Sequence, residues 1–178
     1  MPSRLDLPAR RVAWLRWIAL AVVVANVAFN YLYDRIEWLA LPSIGEQSAR
    51  VHAMFTPAPY TFAIWGLVYF AFVAFAVWDL AADARGQRLD RLAKPLIVVN
   101  VLASLWIVVF GHGLLGLSVL VIATMCAAGA SMYVLTRTHV HGWVAATFSL
   151  FFAWICVATL SASALWLADL GFDRKSVV

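Results

Sequence analysis

The sequence predicts an all-α membrane protein, a five-transmembrane-helix bundle, and three observations carry that prediction. Of 178 residues, 65% are hydrophobic and only 12% are charged, where an ordinary soluble domain carries roughly 25% charged residues. The mean hydropathy is +0.88. The charges are also segregated, for no Asp, Glu, Lys or Arg occurs from Trp17 to Tyr33, from Val51 to Trp78, from Pro95 to Thr136 or from Thr138 to Ala168. Those gaps are the spans.

The whole chain, 1–178, reads as a single transmembrane domain, since the loops leave no room for an extramembrane unit. The first span is placed at about 12–33. Arg4, Arg10, Arg11 and Arg16 precede it as they would precede a secretory signal. Its apolar stretch exceeds the roughly 7 to 15 residues of such a signal, and Asn30-Tyr31-Leu32-Tyr33 offers no small-residue cleavage site, so it is read as a retained helix. Asp34 to Pro59 is mixed in polarity and punctuated by Pro42, Gly45, Pro57 and Pro59, which predicts a long loop with one short interfacial helix. The second span, about 60–80, runs into a loop carrying Asp79, Asp83, Arg85, Arg88, Asp90, Arg91 and Lys94.

Pro95 to Thr136 is 42 residues without a formal charge. As one helix it would be about 63 Å long, twice the roughly 30 Å of hydrocarbon, so it must cross twice. Gly111-His112-Gly113 and Gly116 place the turn, giving spans of about 96–111 and 115–136. A short loop, Arg137 to Gly142, leads to the fifth span at about 143–168. Nine of the Lys and Arg residues then fall on the N-terminal side and four on the other, which predicts a cytoplasmic N-terminus, in keeping with a bacterial inner membrane.

The charge pattern also narrows function. The pI near 9.4 comes from basic residues beside apolar spans, where they set topology and meet anionic lipid headgroups; no basic face suits nucleic acid. Ion-coupled transporters retain charged or titratable groups within their spans, and none is expected here at mid-membrane. No nucleophile, base and orienting residue stand together, so an enzyme is not expected. His139 and His141 lack the third and fourth ligands of a zinc site. His112 reads as a turn cap, with axial ligation of haem as the alternative. Cys126 and Cys156 lie inside spans and read as small core residues rather than a disulfide framework or a metal site.

What the spans carry at helical spacing is aromatic and weakly polar. Asn26, Asn30 and Tyr33 share a face of the first span, and Thr61, Trp65, Tyr69 and Phe72 share one of the second. Asn100 and Ser104 align in the third span, with Trp106 about 120° away at the edge of the same cleft. Thr147, Trp154 and Ser161 repeat every seventh residue in the fifth, with Ala158 on the same stripe. Any one of these faces could simply pack a bundle. Together, a Trp in the second, third and fifth spans outlines a cleft for a flat, apolar, partly polar ligand. Ala123, Ala127 and Ser131 fall four apart in the fourth span, as do Cys126 and Ala130. Ala158 with Ala162, and Ala164 with Ala168, repeat that spacing in the fifth, which suits close helix packing or a homodimer.

The stretch Thr56-Pro57-Ala58-Pro59-Tyr60-Thr61-Phe62-Ala63-Ile64-Trp65-Gly66-Leu67-Val68-Tyr69 resembles the loop and second helix of the TspO/MBR family, the tryptophan-rich sensory or translocator proteins. Asn100 through Trp106 to Phe110-Gly111 is similar to that family's third helix, and Phe148 to Thr159 to its fifth. The resemblance implies a five-helix bundle, commonly dimeric, that binds porphyrins including haem, or sterols, in a pocket closed by the first loop, with no obligatory cofactor. It implies that Trp65, Tyr69, Trp106, Trp154 and Ala158 line the pocket, with Tyr60 near its lid; the polar face adds Asn100. The first loop lacks the family's Trp-x-Pro-Pro, Leu150-Phe151 stands where better-known members have Pro-Tyr, and Ser104 stands where an Asn is expected. The function expected is a membrane binding or sensory protein for a flat apolar ligand, with a small transporter of such a metabolite as the alternative. Light-dependent porphyrin degradation is the enzymatic reading the family allows.

Overall fold

A computed structural model describes residues 6–36, 39, 41–50, 58–81, 90–137 and 142–172. Among these residues six α-helices follow in order: α1 (Asp6–Leu32), α2 (Ile44–Ala49), α3 (Ile64–Ala81), α4 (Asp90–Gly111), α5 (Leu115–Thr136) and α6 (Gly142–Asp169). All but α2 are long and apolar enough to cross a membrane, and no strand occurs among the described residues. This is the all-α, five-span architecture that the sequence predicts. The bundle exposes what a soluble protein would hide. Phe70, Leu120 and Leu160 are each about two-thirds exposed or more, as expected where the surrounding solvent is hydrocarbon.

Two boundaries differ from expectation. Helix α1 begins at Asp6 rather than near residue 12. Helix α4 begins at Asp90 rather than near residue 96 and runs through Pro95. Pro95 forfeits only the bond its N–H would make to the Arg91 carbonyl, in the opening turns, where that carbonyl still reaches the polar interface. Leu92 and Ala93 are buried while Arg91 and Lys94 are exposed, so the extra turn is amphipathic.

The α4–α5 turn is dictated by its glycines. Gly113 has φ +74°, a left-handed conformation that costs glycine little. Its N–H bonds the Phe110 carbonyl and that of Leu114 bonds Val109, the paired closure of a Schellman motif. His112 is exposed, and its Nδ1 lies 2.8 Å from the Val108 carbonyl, as a cap would.

The bundle is tied together in two different ways. Helices α1, α3 and α4 share hydrogen bonds. Asn26 donates to Asn100 Oδ1 at 2.9 Å, Ser104 donates to Asn26 Oδ1 at 2.8 Å, and the Tyr69 hydroxyl donates to Asn30 Oδ1 at 2.6 Å. Asn30 in turn donates to Asn26, joining the two levels. In α5 and α6 the hydroxyls turn back on their own helix instead: Thr136 bonds Met132, Thr147 bonds Trp143 and Thr159 bonds Ile155.

Those two helices are held by close packing. At Gly129 an added Cβ would lie 2.9 Å from the Phe151 ring, and Phe151 is fully buried with nowhere to retreat. Gly129→Val is therefore expected to destabilise the bundle by about 1 to 3 kcal/mol, read as an earlier midpoint in detergent-induced unfolding. Of the predicted small-residue stripes, Ala123, Ala127 and Ser131 face outward and pack no helix contact of the bundle's interior.

Helices α3 and α6 meet through rings. Phe72 lies 5.9 Å from Phe148 and 5.1 Å from Phe151, and Phe75 meets Phe148 edge-on at 5.0 Å. Trp78 and Trp143 close the seam near the N-terminal side of the membrane at 5.2 Å. On that side the two residues bordering the first two charge-free stretches find one another: Arg16 Nε stands 3.5 Å from Asp79 Oδ2, and Arg16 also donates to the Asp79 main-chain carbonyl.

Candidate functional site

On the opposite side, α2 roofs the bundle. Ser43 caps it, its hydroxyl accepting from the Glu46 N–H while the Glu46 carboxylate accepts from the Ser43 N–H. The Tyr33 hydroxyl accepts from the Ile44 N–H at 3.2 Å. Leu41 lies over Gly111, where an added Cβ would sit 2.8 Å from Leu41 Cδ2, and Gln47 lies beside Gly113. The roof thus rests on the α4–α5 turn because that turn has no side chains in the way.

The two hydrogen bonds from Ser43, its main-chain N–H first and its hydroxyl second, hold the Glu46 carboxyl below the ordinary carboxylate range. A depressed folded-state pKa contributes stability that is present above the unfolded value and lost as pH falls through the folded one. The protection factors of the amides in 44–49, with the intrinsic pH dependence of exchange divided out, are expected to stay constant from neutral pH down to the ordinary glutamate range of about 4.3 and to fall only in stronger acid. Glu46→Gln should remove that acid step.

Beneath the roof lies a cavity of about 510 Å³, bounded by Asn30, Tyr33, Trp65, Tyr69, Trp106 and Met125 among others. A smaller chamber of about 50 Å³ adjoins it, bounded by Phe110, Trp154, Ala158, Ser161 and Leu165. Ile44, Phe62, Trp65 and Trp106 line both. The larger volume falls within the roughly 300 to 1,000 Å³ of small-molecule sites.

The rings are organised around Trp65. It stacks on Tyr69 at 5.5 Å and meets Trp154 edge-on at 6.3 Å, while Trp106 stacks on Phe110 at 4.8 Å. The floor is polar. The Tyr69 proton is committed to Asn30, so toward the cavity this hydroxyl is an acceptor. The indole Nε1 atoms of Trp106 and Trp154 are buried and have no hydrogen-bond partner among the described residues. Two unsatisfied donors in an apolar wall are costly unless a guest supplies acceptors.

Five of the seven residues singled out from the sequence come together here: Trp65, Tyr69, Trp106, Trp154 and Ala158. Two do not line either chamber. Tyr60 is 81% exposed. It lies in the 3-10 turn Pro59–Ala63, where three residues per turn put it well away from Phe62, which takes the inward place. Asn100 is buried under the floor, its oxygen taken by Asn26 and its amide by the Leu96 carbonyl. Ile44, Asn30 and Met125 were not singled out as lining residues, although the Ser43-to-Glu46 spacing was a readable signal for α2. His139 and His141 lie outside the described residues.

The family model for TSPO-like proteins matches residues 16–177. The chain belongs to that family. It is accordingly an integral, multi-pass membrane protein of the TSPO-like family. No curated protein and no solved structure matches it.

Proposed function

We propose that this TSPO-like protein is a non-enzymatic membrane receptor that binds a flat, largely apolar ligand, of the porphyrin or sterol class, in the cavity under α2. The observation that carries the reading is the pairing of aromatic walls with unmet polarity: Trp65, Trp106 and Trp154 offer faces for stacking, two of these indoles have unpartnered N–H groups, and the Tyr69 oxygen is an acceptor. A tetrapyrrole with carboxylate or carbonyl edges and pyrrole N–H groups answers all three. The excess of Lys and Arg at the N-terminal side favours a cytoplasmic N-terminus, which puts the roofed cavity at the opposite face.

The test is quenching of tryptophan fluorescence by protoporphyrin IX. Saturable quenching in the micromolar range is expected, weakened about tenfold in each of Trp65→Phe and Trp154→Phe, a loss near 1.4 kcal/mol. Quenching that is absent, or equal in wild type and both variants, would remove tetrapyrrole binding as the function.

A further inference from the structure

Cys126 and Cys156 are both free and half-buried, and their sulfurs lie 3.6 Å apart although thirty residues separate them in the chain. One stands midway along α5 and the other midway along α6, so the pair lies near the centre of the hydrocarbon. Their flanks face outward: Ala123 and Ala127 on α5, and Ala153, Val157 and Leu160 on α6, are exposed. A lipid-borne reagent therefore meets the pair from the bilayer, on the side away from the cavity. A disulfide needs sulfurs about 2.05 Å apart, so closure asks for about 1.5 Å of approach, within reach of side-chain rotation.

We propose that Cys126 and Cys156 form an oxidisable dithiol, closed to a disulfide by hydroperoxides carried in the lipid phase. One thiol attacks the peroxide, forming an S–O bond as the O–O bond breaks and an alcohol leaves with the thiol proton. The second thiol attacks the resulting sulfenic acid, forming the S–S bond as water leaves. Two thiols and one hydroperoxide thus give one disulfide, one alcohol and one water. The bond clamps α5 to α6. Met125, beside Cys126, lines the larger chamber, while Trp154 and Ala158 flank Cys156 and line the smaller one, so the clamp ties together the helices that carry those walls. The proposal is independent of what the cavity binds.

The experiment treats the full-length protein in lipid nanodiscs with cumene hydroperoxide, then denatures it and alkylates with N-ethylmaleimide. Intact mass is expected to fall by two hydrogens per chain with neither cysteine alkylated, and peptide mapping should recover a Cys126–Cys156 link that reductant reverses. In Cys126→Ser and Cys156→Ser the remaining thiol should stop at a sulfenic acid trapped by dimedone. Two thiols that remain alkylatable after treatment, or a link that joins two chains and not one, overturn the proposal.

Discussion

Replacing Asn26 with leucine is expected to lower the unfolding free energy by about 2 to 3 kcal/mol, although the change makes α1 more apolar. Asn26 is only 2% exposed and is the node at which α1 and α4 meet. Its amide nitrogen serves Asn100, and its side-chain oxygen accepts from Ser104 and Asn30. Without it the Asn100 oxygen has no donor and the Ser104 hydroxyl loses its acceptor. Each unmet buried group costs about 1 to 3 kcal/mol. Interhelical bonds in membranes average only about 0.6 kcal/mol, because the separated helices find other partners. Ser104 can turn to its own helix, so the Asn100 oxygen sets the larger share. Unfolding by SDS in mixed micelles measures the difference. Ser104→Ala, which leaves the Asn26–Asn100 bond intact, should cost under about 1 kcal/mol.

Asp79→Ala is expected to cost about 3 kcal/mol, whereas Arg16→Leu combined with Asp79→Leu should recover most of that loss. The side chains of Arg16 and Asp79 are 14% and 8% exposed, so removing the carboxylate leaves a guanidinium largely out of water. Removing both charges spares the desolvation of each, and an apolar pair is close to neutral in such a place. A double variant as unstable as Asp79→Ala alone would show that the two charges are not coupled. The same micelle titration serves.

The spans were legible because hydrocarbon imposes a rule on composition that needs no knowledge of neighbours. The 42 uncharged residues from Pro95 could only be two crossings, and Gly111-His112-Gly113 could only be the turn. The three tryptophans that line the chambers were legible because a helix face is a matter of counting. What could not be counted was which helices adjoin. Asp79 read as a loop residue and Arg16 as a topology signal; they become a pair only once α1 lies against α3. Asn100 read as a cleft residue because it shares a face with Ser104, but that face meets α1 and is spent on Asn26. Tyr60 was placed near a lid by resemblance and not by counting, and it stands exposed in the 3-10 turn just before α3 begins.

The seam of rings between α3 and α6 bears on how such a sequence can drift. The phenyl rings of that seam have no donor or acceptor to satisfy, so they can be exchanged for others of similar volume with little loss. Phe151, at the heart of that seam, stands where relatives of better-known type carry tyrosine, and Phe needs no partner for a hydroxyl. Leu150, where those relatives carry proline, lets α6 run unbroken over 28 residues. These two departures thus fall where the fold demands volume and not chemistry, while another, Ser104, falls in the hydrogen-bonded network and keeps a donor to Asn26 there.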